Sequence, residues 1–396
     1  MVKTLTKEHL KDYLIGSAIL ACGQSEDNPR ALAMIEDIFE KGLKVTLIDQ
    51  VKIPDEKFIC TVSYQAGGGV PEDVKKQLEP YLQKLEEVDL SQSKKAINLK
   101  KAVNELSEIS NAEFYSYIAL CTSPIQGMTA MYTAAIEGKP CVDGDCCGRA
   151  RPGYHISLTN PAGIPATPTV MVTPLGETII IKTAVEIARI GDICKIIHIV
   201  SGGTVTPVAG CPASIKEYRG GMVPKQVTKC IEIGKAVRRA REEGKNPIEA
   251  FMKTANAYEI FEGEVRSFER EARLGYTWGN WIVKGLGEFE GHTLRVWFKN
   301  EHLVSWFDDQ PYVTCPDLIC IVDSNGCKGL GNMYELPSYI GRKVTVFGLP
   351  AYKLWRAKEG IEHWNPKNYG FDIEYKPLEE VVSENFNRIT RRTLNN

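Results

Sequence analysis

The stretch FYSYIALCTSPIQGMTAMYTAAIEGKPCVDGD, residues 114–145, decides the fold of this chain. Phe114–Leu120 is an apolar run typical of a buried strand, and Ser123, followed by a proline, is a favourable start for a helix that ends at Gly138. Cys141–Val142 then predicts a second short strand. A strand, a helix and another strand in this order form the crossover that joins neighbouring parallel strands. The stretch therefore predicts a three-layer α/β domain with a largely parallel sheet.

Three polar or glycine-rich segments follow the predicted strands of this sheet. Cys121–Gln126 comes after the first strand, and Asp143–Arg149 comes after the second. Gly67–Gly69 lies just beyond Phe58–Ser63, which is another predicted strand. Because ligands bind beyond the carboxyl ends of parallel strands, we expect the three segments to meet at one edge of the sheet and to form a site.

The segment richest in reactive side chains is GKPCVDGDCCGRARPGYH, residues 138–155. Asp143 and Asp145 flank a glycine, so in a turn their carboxylates could point to the same side. Such a pair suits general acid and base catalysis or the binding of a hard metal ion. A purely structural alternative is a polar turn in which Asp145 pairs with Arg149.

The thiol of Cys146 is the candidate nucleophile of this segment. Arg149 and Arg151 lie close to it in sequence, and neighbouring guanidinium groups favour a thiolate. We therefore expect Cys146 to act as a nucleophile or as a soft-metal ligand. The alternative is that the thiol is buried as a small apolar group.

Histidines and further cysteines leave the question of a metal open. His155 and His198 are the histidines nearest to the predicted site, and Cys22, Cys121 and Cys211 lie in loops. A site assembled from such residues suits Zn²⁺ or Fe²⁺, but the chain has no Cys-x-x-Cys pair that would identify one. The glycine-rich loops carry neither of the common nucleotide-binding fingerprints.

Composition excludes several classes of protein. The 396 residues carry a formal net charge of −2, and no basic tract predicts a nucleic-acid or membrane surface. The first residues lack the apolar core of a signal peptide, and no apolar run is long enough to span a membrane. Together with 12 cysteines outside any disulfide pattern, these features predict a cytoplasmic protein.

The sequence divides into parts with different periodicity. Residues 1–258 alternate between predicted strands and helices, with Ile196–Val200 predicted as a strand. Residues 259–375 consist of short alternating runs separated by turn residues, which predict a β-rich sandwich or barrel-like domain. Residues 376–396 form a tail that we expect to pack back on the first domain.

Several segments resemble one protein family. Val142–Pro152, VDGDCCGRARP, resembles the Asp-x-Asp-x-x-Gly-Arg-Ala-x-Pro signature of the S-methyl thiohydantoin desulfurase family. The resemblance continues through Ile125–Met128, Pro316–Asp323, Gly348–Trp355 and Asn368–Tyr375, so it covers nearly the whole chain. It implies an α/β domain joined to a β-rich domain, chemistry on hydantoin-like five-membered rings, and association with hydantoinase-type genes.

The resemblance places functional residues on this chain. Asp143, Asp145, Gly148 and Arg149 match the family signature. The family commonly carries a run of glycines after the first helix, whereas this chain keeps only Gly23 there. The departure leaves open whether the ring substituent, or the reaction itself, differs.

These observations lead us to expect a hydrolase that adds water to an sp² carbon of a thiohydantoin-like ring and releases a thiol or sulfide. An aspartate or a metal-bound hydroxide would activate the water, and Arg149 would stabilise the developing charge. The expected catalytic residues are Asp143, Asp145, Cys146 and Arg149. The expected substrate-binding residues are Gly23, Gly68, Ser123, Gln126, Gly127, Arg151 and His155.

Two alternative functions are also compatible with the sequence. Ring-opening hydrolysis of a hydantoin needs the same groups with a different leaving group. A non-catalytic subunit of a hydantoinase-type assembly would show no turnover alone. We also expect the chain to form a homo-oligomer.

Overall fold

The computed structural model of the chain describes residues 3–65, 70, 72–87, 92–203, 206–273, 275–332 and 335–384. Gly68, one of the expected substrate-binding residues, lies outside the described residues. Within them, no helix combines the length and the apolar character needed to cross a membrane.

The first part of the chain contains one sheet and the longer helices. Its strands are β1 (Lys3–Thr4), β2 (Thr46–Ile48), β3 (Phe58–Gln65), β4 (Phe114–Ala119), β5 (Cys141–Asp145), β6 (Thr169–Val172), β7 (Thr178–Ile181), β8 (Thr206–Ser214) and β9 (Val223–Pro224). Its helices are α1 (Lys7–Leu20), α2 (Pro29–Glu40), α3 (Glu72–Glu87), α4 (Gln92–Ser110), α5 (Pro124–Ile136), α6 (Ile187–Val200), α7 (Ile215–Tyr218), α8 (Gln226–Glu242) and α9 (Pro247–Ala255).

The predicted crossover is the centre of this sheet. The strand order is β1-β2-β5-β4-β3-β8-β6-β7, and β9 pairs with β5. Strands β2, β5, β4 and β3 are parallel, and α5 connects β4 to β5. The sheet as a whole is mixed, because β8 joins β3 in the antiparallel direction and β6 and β7 continue antiparallel. The short turn between β6 and β7 permits only an antiparallel pair.

The three-layer arrangement is confirmed by how the strands distribute their side chains. Cys60 and Val62 of β3 belong to a core cluster that also contains Met128 of α5, whereas Ile59 belongs to a second cluster with Ile190 of α6. Alternate residues of a strand point to opposite faces, so both faces of the sheet are covered.

The prediction of a strand at Ile196–Val200 is wrong, because these residues form the last turns of α6. Ile190, Cys194 and His198 are buried at intervals of four residues, which is the spacing of one helix face. A short apolar run does not by itself distinguish a buried strand from a buried helix.

The second part is the predicted β-rich region, and it forms a curled antiparallel sheet in the order β14-β13-β12-β11-β10-β16-β15. Its strands are β10 (Tyr258–Arg273), β11 (Tyr276–Gly285), β12 (Thr293–Lys299), β13 (Glu301–Phe307), β14 (Gln310–Thr314), β15 (Leu318–Asp323) and β16 (Lys343–Leu349). The short helices α10 (Lys353–Arg356) and α11 (Lys358–His363) follow.

The two parts share one core. Leu303 and Cys320 of the second sheet belong to the same buried cluster as Leu20 of α1. A backbone hydrogen bond also connects the two parts there: the N–H of His302 donates to the carbonyl of Cys22 at 2.8 Å. These contacts place the β12–β13 hairpin against the end of α1, beside the carboxyl ends of the parallel strands.

The beginning of the C-terminal tail packs on the second sheet. Leu378 and Val381 are buried in a cluster with Phe261 and Val346. Residues 385–396 lie outside the described residues, so packing of the whole tail on the first part stays a prediction.

Candidate active site

A cavity of about 220 Å³ lies where the two parts of the chain meet. The first part contributes the ends of β3 and β4, the start of α5, residues 150–154 and one face of α6. The second part contributes the first residue of β11 and the tip of the β12–β13 hairpin. The chemically active residues of the lining are Cys121, Ser123, Arg151, Lys195, Tyr276 and Glu301.

Glu301 is the acidic residue of this lining. It follows Asn300, whose left-handed backbone (φ 59°) makes the tight turn between β12 and β13. The Glu301 side chain is buried, and its Oε2 has no hydrogen-bond partner among the residues that the structure describes. Burial raises the pKa of Glu301 to about 8. A carboxyl group with this pKa can give or take a proton near neutral pH.

Lys195 on α6 is the matching basic group. Its Nζ donates to the carbonyl oxygen of Gly275 at 2.8 Å and lies 4.6 Å from the centre of the Tyr276 ring. Burial lowers the pKa of Lys195 to about 8. The cavity therefore holds an acid and a base that both titrate near neutrality.

The start of α5 faces the cavity. Ser123 caps the helix, because its Oγ accepts from the N–H of Gln126 at 3.2 Å. The side chain of Gln126 is held by the backbone of Tyr64: its Nε2 donates to the Tyr64 carbonyl at 2.9 Å. Both Ser123 and Gln126 line the cavity, and they present the positive end of the α5 dipole to it.

Two glycines expected to bind substrate have close protein neighbours. A Cβ on Gly127 would lie 1.7 Å from the hydroxyl oxygen of Tyr13, so Gly127 allows α1 and α5 to pack closely. A Cβ on Gly23 would lie 2.3 Å from Nδ2 of Asn332, so Gly23 allows the chain to approach the second sheet. Neither glycine belongs to the cavity lining that the described residues form.

Arg151 lines the cavity, whereas His155 lies outside the described lining. The Arg151 guanidinium donates to the Tyr154 carbonyl and lies 4.6 Å from the centre of the Tyr154 ring. Burial lowers the pKa of His155 to about 4, so this imidazole is neutral at pH 7. Of these two residues, the geometry supports a substrate contact for Arg151.

Asp143 and Asp145 bind different segments of the protein. Asp143 caps α8: its Oδ1 accepts from the N–H of Thr228 at 2.9 Å and its Oδ2 from the Thr228 hydroxyl at 2.7 Å. Asp145 Oδ1 accepts from the N–H groups of Cys147 at 2.8 Å and Gly148 at 2.6 Å. Neither aspartate belongs to the described lining of the cavity. Both carboxylates therefore organise the backbone around the site.

The pKa of Asp145 reflects its burial. Its Oδ2 accepts a short hydrogen bond from the hydroxyl of Thr122. Burial raises the pKa of Asp145 to about 6, and the hydrogen bonds from Thr122, Cys147 and Gly148 oppose that shift. The carboxylate form is therefore held by three donors inside the protein.

Cys146 and Arg149 are buried and lie outside the described lining of the cavity. Burial raises the pKa of the Cys146 thiol well above its ordinary value, which disfavours a thiolate. The Arg149 guanidinium donates to the carbonyls of Asp317 and His302, at 2.9 Å and 2.5 Å. The pairing of Arg149 with Asp145, the structural alternative considered from the sequence, is absent among the contacts of the described residues.

No group of three or more histidine, cysteine, aspartate or glutamate side chains is arranged for a metal ion within the part of the chain that the structure describes. The binding of Zn²⁺ or Fe²⁺ therefore stays a prediction, and the described residues identify no set of ligands for it. The 12 cysteines are free thiols, and all are buried.

The sequence does not identify Glu301 or Lys195 as site residues. Glu301 follows Lys299 and Asn300 and precedes a histidine, so no pattern marks it, whereas Lys195 is a charged residue within the apolar run Ile193–Ile197. Such residues are seldom buried unless they are paired or functional.

Comparison with known proteins identifies relatives over nearly the whole chain. Residues 8–183 match the family described as S-Me-THD-like, N-terminal domain, and residues 188–378 match S-Me-THD-like, C-terminal domain. An X-ray crystal structure of a protein from Chromobacterium violaceum superimposes with a TM-score of 0.72 over 95% of this chain and 100% of that chain. At 19% identity, that similarity shows the fold alone. Among curated proteins, none matches this chain in sequence.

Proposed function

The chain belongs to the S-Me-THD-like family, the S-methyl thiohydantoin desulfurase family, and from this premise we propose that it removes sulfur from a thiohydantoin-like ring by hydrolysis. In the proposed reaction, water adds to the ring carbon that carries the S-methyl group. The carbon–sulfur bond then breaks, and the products are a ring carbonyl and methanethiol. A free thiohydantoin would release hydrogen sulfide in the same way.

The observation that carries this proposal is the environment of Glu301. Its carboxyl lines the cavity, and its Oε2 has no partner within the described residues. A buried carboxyl oxygen without a hydrogen-bond partner is costly, so its retention favours a role in the reaction. In the ionised form, Glu301 would take a proton from the attacking water, so that the water adds to the ring carbon as hydroxide.

Lys195 is suited to the second half of the reaction. The departing thiolate needs a proton, and the Lys195 ammonium, whose burial-lowered pKa is about 8, can supply it near neutral pH. Glu301 and Lys195 come from different parts of the chain and face the same cavity. Glu301 would pass the water proton to the ring nitrogen as the carbon–nitrogen double bond is lost, and Lys195 would protonate the thiolate and regain a proton from the hydroxyl of the intermediate as the ring carbonyl forms.

Polar groups at the other side of the cavity would orient the ring. Ser123 and Gln126 begin α5, and the positive end of a helix dipole favours a carbonyl oxygen or a developing negative charge. The guanidinium of Arg151 lies in the same lining and can donate to the ring. We propose that these residues bind the ring, while Asp143, Asp145 and Arg149 shape the surrounding backbone.

The proposal is tested by incubating the protein with hydantoins, thiohydantoins and S-methyl thiohydantoins and following the products by mass spectrometry. We expect methanethiol or sulfide to appear with the ring retained, and Glu301→Gln to lower the rate at least about 100-fold. Glu290→Gln, a change at an exposed glutamate, is the matched control and keeps the rate.

Two other outcomes would contradict the proposal and favour one of the alternative functions. Gain of one water without loss of sulfur would indicate ring opening. Absence of turnover under all conditions, including added divalent metal, would favour the non-catalytic subunit, and co-purification with a hydantoinase-type partner would then be measured.

A further inference from the structure

The guanidinium of Arg149 joins the two parts of the chain from a fully buried position. Nη1 donates to the carbonyl of Asp317 at 2.9 Å, and Nη2 donates to the carbonyl of His302 at 2.5 Å. The group lies 5.3 Å from the centre of the Trp364 ring. Its Nε has no hydrogen-bond partner among the described residues. Arg149 therefore holds the second sheet through backbone carbonyls.

The turn that presents Arg149 is itself fixed. Asp145 accepts from the N–H groups of Cys147 and Gly148, and the Cys147 carbonyl accepts from the indole of Trp355 at 2.8 Å. Gly148, directly before Arg149, adopts a φ of +85°, a left-handed conformation that favours glycine. The turn that carries Arg149 is thus held by contacts that do not involve the hairpin.

One of the two carbonyls belongs to the residue next to Glu301. His302 follows Glu301 in β13, and its N–H is bound by the carbonyl of Cys22 at 2.8 Å. The peptide groups on both sides of His302 are therefore fixed, one by the carbonyl of Cys22 just after α1 and the other by Arg149. This fixes the tip of the hairpin, and with it the point from which the Glu301 side chain enters the cavity.

We propose that Arg149 is a positioning residue that fixes Glu301 in the cavity through the carbonyl of His302. The catalytic meaning of this inference rests on the proposed function. The guanidinium never touches the ring, which separates this role from direct charge stabilisation by Arg149.

The charge of Arg149 also acts on Glu301. Among the charged neighbours that oppose the raised pKa of Glu301, Arg149 has the largest effect, ahead of Lys195 and Lys299, whereas Cys22 raises that pKa further. Other titratable groups that sense Glu301 are Cys121, Tyr276 and Tyr369. Removal of the guanidinium should therefore raise the pKa of Glu301.

The inference is tested on the full chain without substrate. Glutamate carboxyl carbons are labelled with ¹³C and titrated by NMR, and Glu301→Gln identifies the Glu301 signal. We expect Arg149→Met to raise the Glu301 midpoint by about one pH unit. We expect Arg149→Lys, which keeps the charge but cannot bridge two carbonyls with a planar fork, to keep the midpoint and to speed amide hydrogen exchange in residues 298–303 about tenfold or more.

Arg241→Lys is the matched control. Arg241 also reaches the second part through backbone carbonyls, those of Gly326 at 2.6 Å and Cys327 at 3.2 Å, but it does not contact the hairpin tip in the described structure. We expect it to change neither the Glu301 midpoint nor the exchange of residues 298–303.

A wild-type midpoint in folded Arg149→Met, together with wild-type exchange in Arg149→Lys, would overturn the inference. If Arg149→Met does not fold, exchange in Arg149→Lys decides alone, and unchanged exchange would overturn it. Both measurements use the free protein, so an absence of turnover on the substrate panel would defeat the proposed function without deciding this inference.

Discussion

The Gln126 side chain pairs with both backbone polar groups of Tyr64. Its Nε2 donates to the Tyr64 carbonyl at 2.9 Å, and its Oε1 accepts from the Tyr64 N–H at 3.1 Å. The amide thus completes the hydrogen bonds at the end of β3, as a neighbouring strand would. It also fixes the start of α5 against β3 at the edge of the cavity.

This pairing predicts a loss of stability when Gln126 becomes leucine. Both polar groups of the Tyr64 backbone would lose their partner in a buried position, and we expect a loss of about 1–3 kcal/mol in the free energy of unfolding. Urea titration measures the difference. Gln310→Leu, at an exposed position of β14, is the control and should change stability by less than about 0.5 kcal/mol. Equal stability of the two variants would contradict the prediction.

The buried carboxyl of Glu301 predicts a pH-dependent stability. Burial raises the pKa of Glu301 to about 8 in the folded protein, whereas an unfolded glutamate titrates near about 4.3. The folded state therefore holds the proton more tightly, and its contribution to stability, complete below about pH 4.3, is lost as the pH rises through about 8.

Glu301→Gln removes this titration. We expect the Tm of wild type minus that of Glu301→Gln to fall between pH 5 and pH 9, with the glutamine variant the more stable at the alkaline end. Differential scanning calorimetry across that range measures the difference. A constant difference would mean that Glu301 titrates with an ordinary pKa.

Local features of the site were predictable from the sequence. The cap at Ser123 and the crossover through β4, α5 and β5 follow from neighbouring residues, and both are present. A helix cap or a strand depends on interactions within a few residues, so its signal is contained in a short window.

Glu301 was not predictable in this way, because its environment is assembled from distant segments. It is buried because α6, the start of α5 and the hairpin tip surround it. Similarly, the sequence favoured a catalytic Arg149, whereas its partners are two backbone carbonyls, which leave no trace in residue type. A contact to a backbone carbonyl can be assigned only when the fold is known, because a residue of any type can supply the carbonyl.

The segments that carry the family resemblance meet at Asp317. Its carbonyl accepts from Arg149 of the signature, and its carboxylate accepts from the N–H of Ala351 at 2.7 Å and the hydroxyl of Tyr375 at 2.9 Å. These residues come from four of the segments that resemble the family. Most of the segments that resemble the family therefore contact one another where the two parts of the chain join.

The two aspartates of the signature should differ when they are changed to alanine. Asp143→Ala removes the cap of α8, and we expect a loss of about 1–2 kcal/mol in unfolding free energy. Asp145→Ala leaves the N–H groups of Cys147 and Gly148 and the Thr122 hydroxyl without their acceptor. For Asp145→Ala we expect a loss of roughly 3–5 kcal/mol. Equilibrium unfolding of both variants measures the order, and an inverted order would refute these structural roles.

Gly23 should be the glycine least tolerant of substitution at the junction. Its φ of +125° is unfavourable for any other residue, and a Cβ would lie 2.3 Å from Nδ2 of Asn332 and 3.0 Å from the carbonyl oxygen of Asn300. Asn300 forms the turn that carries Glu301, so Gly23→Ala should displace that turn. We expect a loss of about 2–5 kcal/mol in unfolding free energy and a lower rate on the substrate panel.

The matched control for Gly23→Ala is Gly42→Ala. Gly42 also has a positive φ, of +63°, but a Cβ there would meet no atom of the described residues within 4 Å. Backbone strain alone should cost about 1–2 kcal/mol in Gly42→Ala and leave the rate unchanged. If both variants lost the same stability and kept the same rate, the close approach of Gly23 to the hairpin would have no energetic consequence. A selective loss of rate in Gly23→Ala would instead place the single glycine after α1 among the residues that position Glu301.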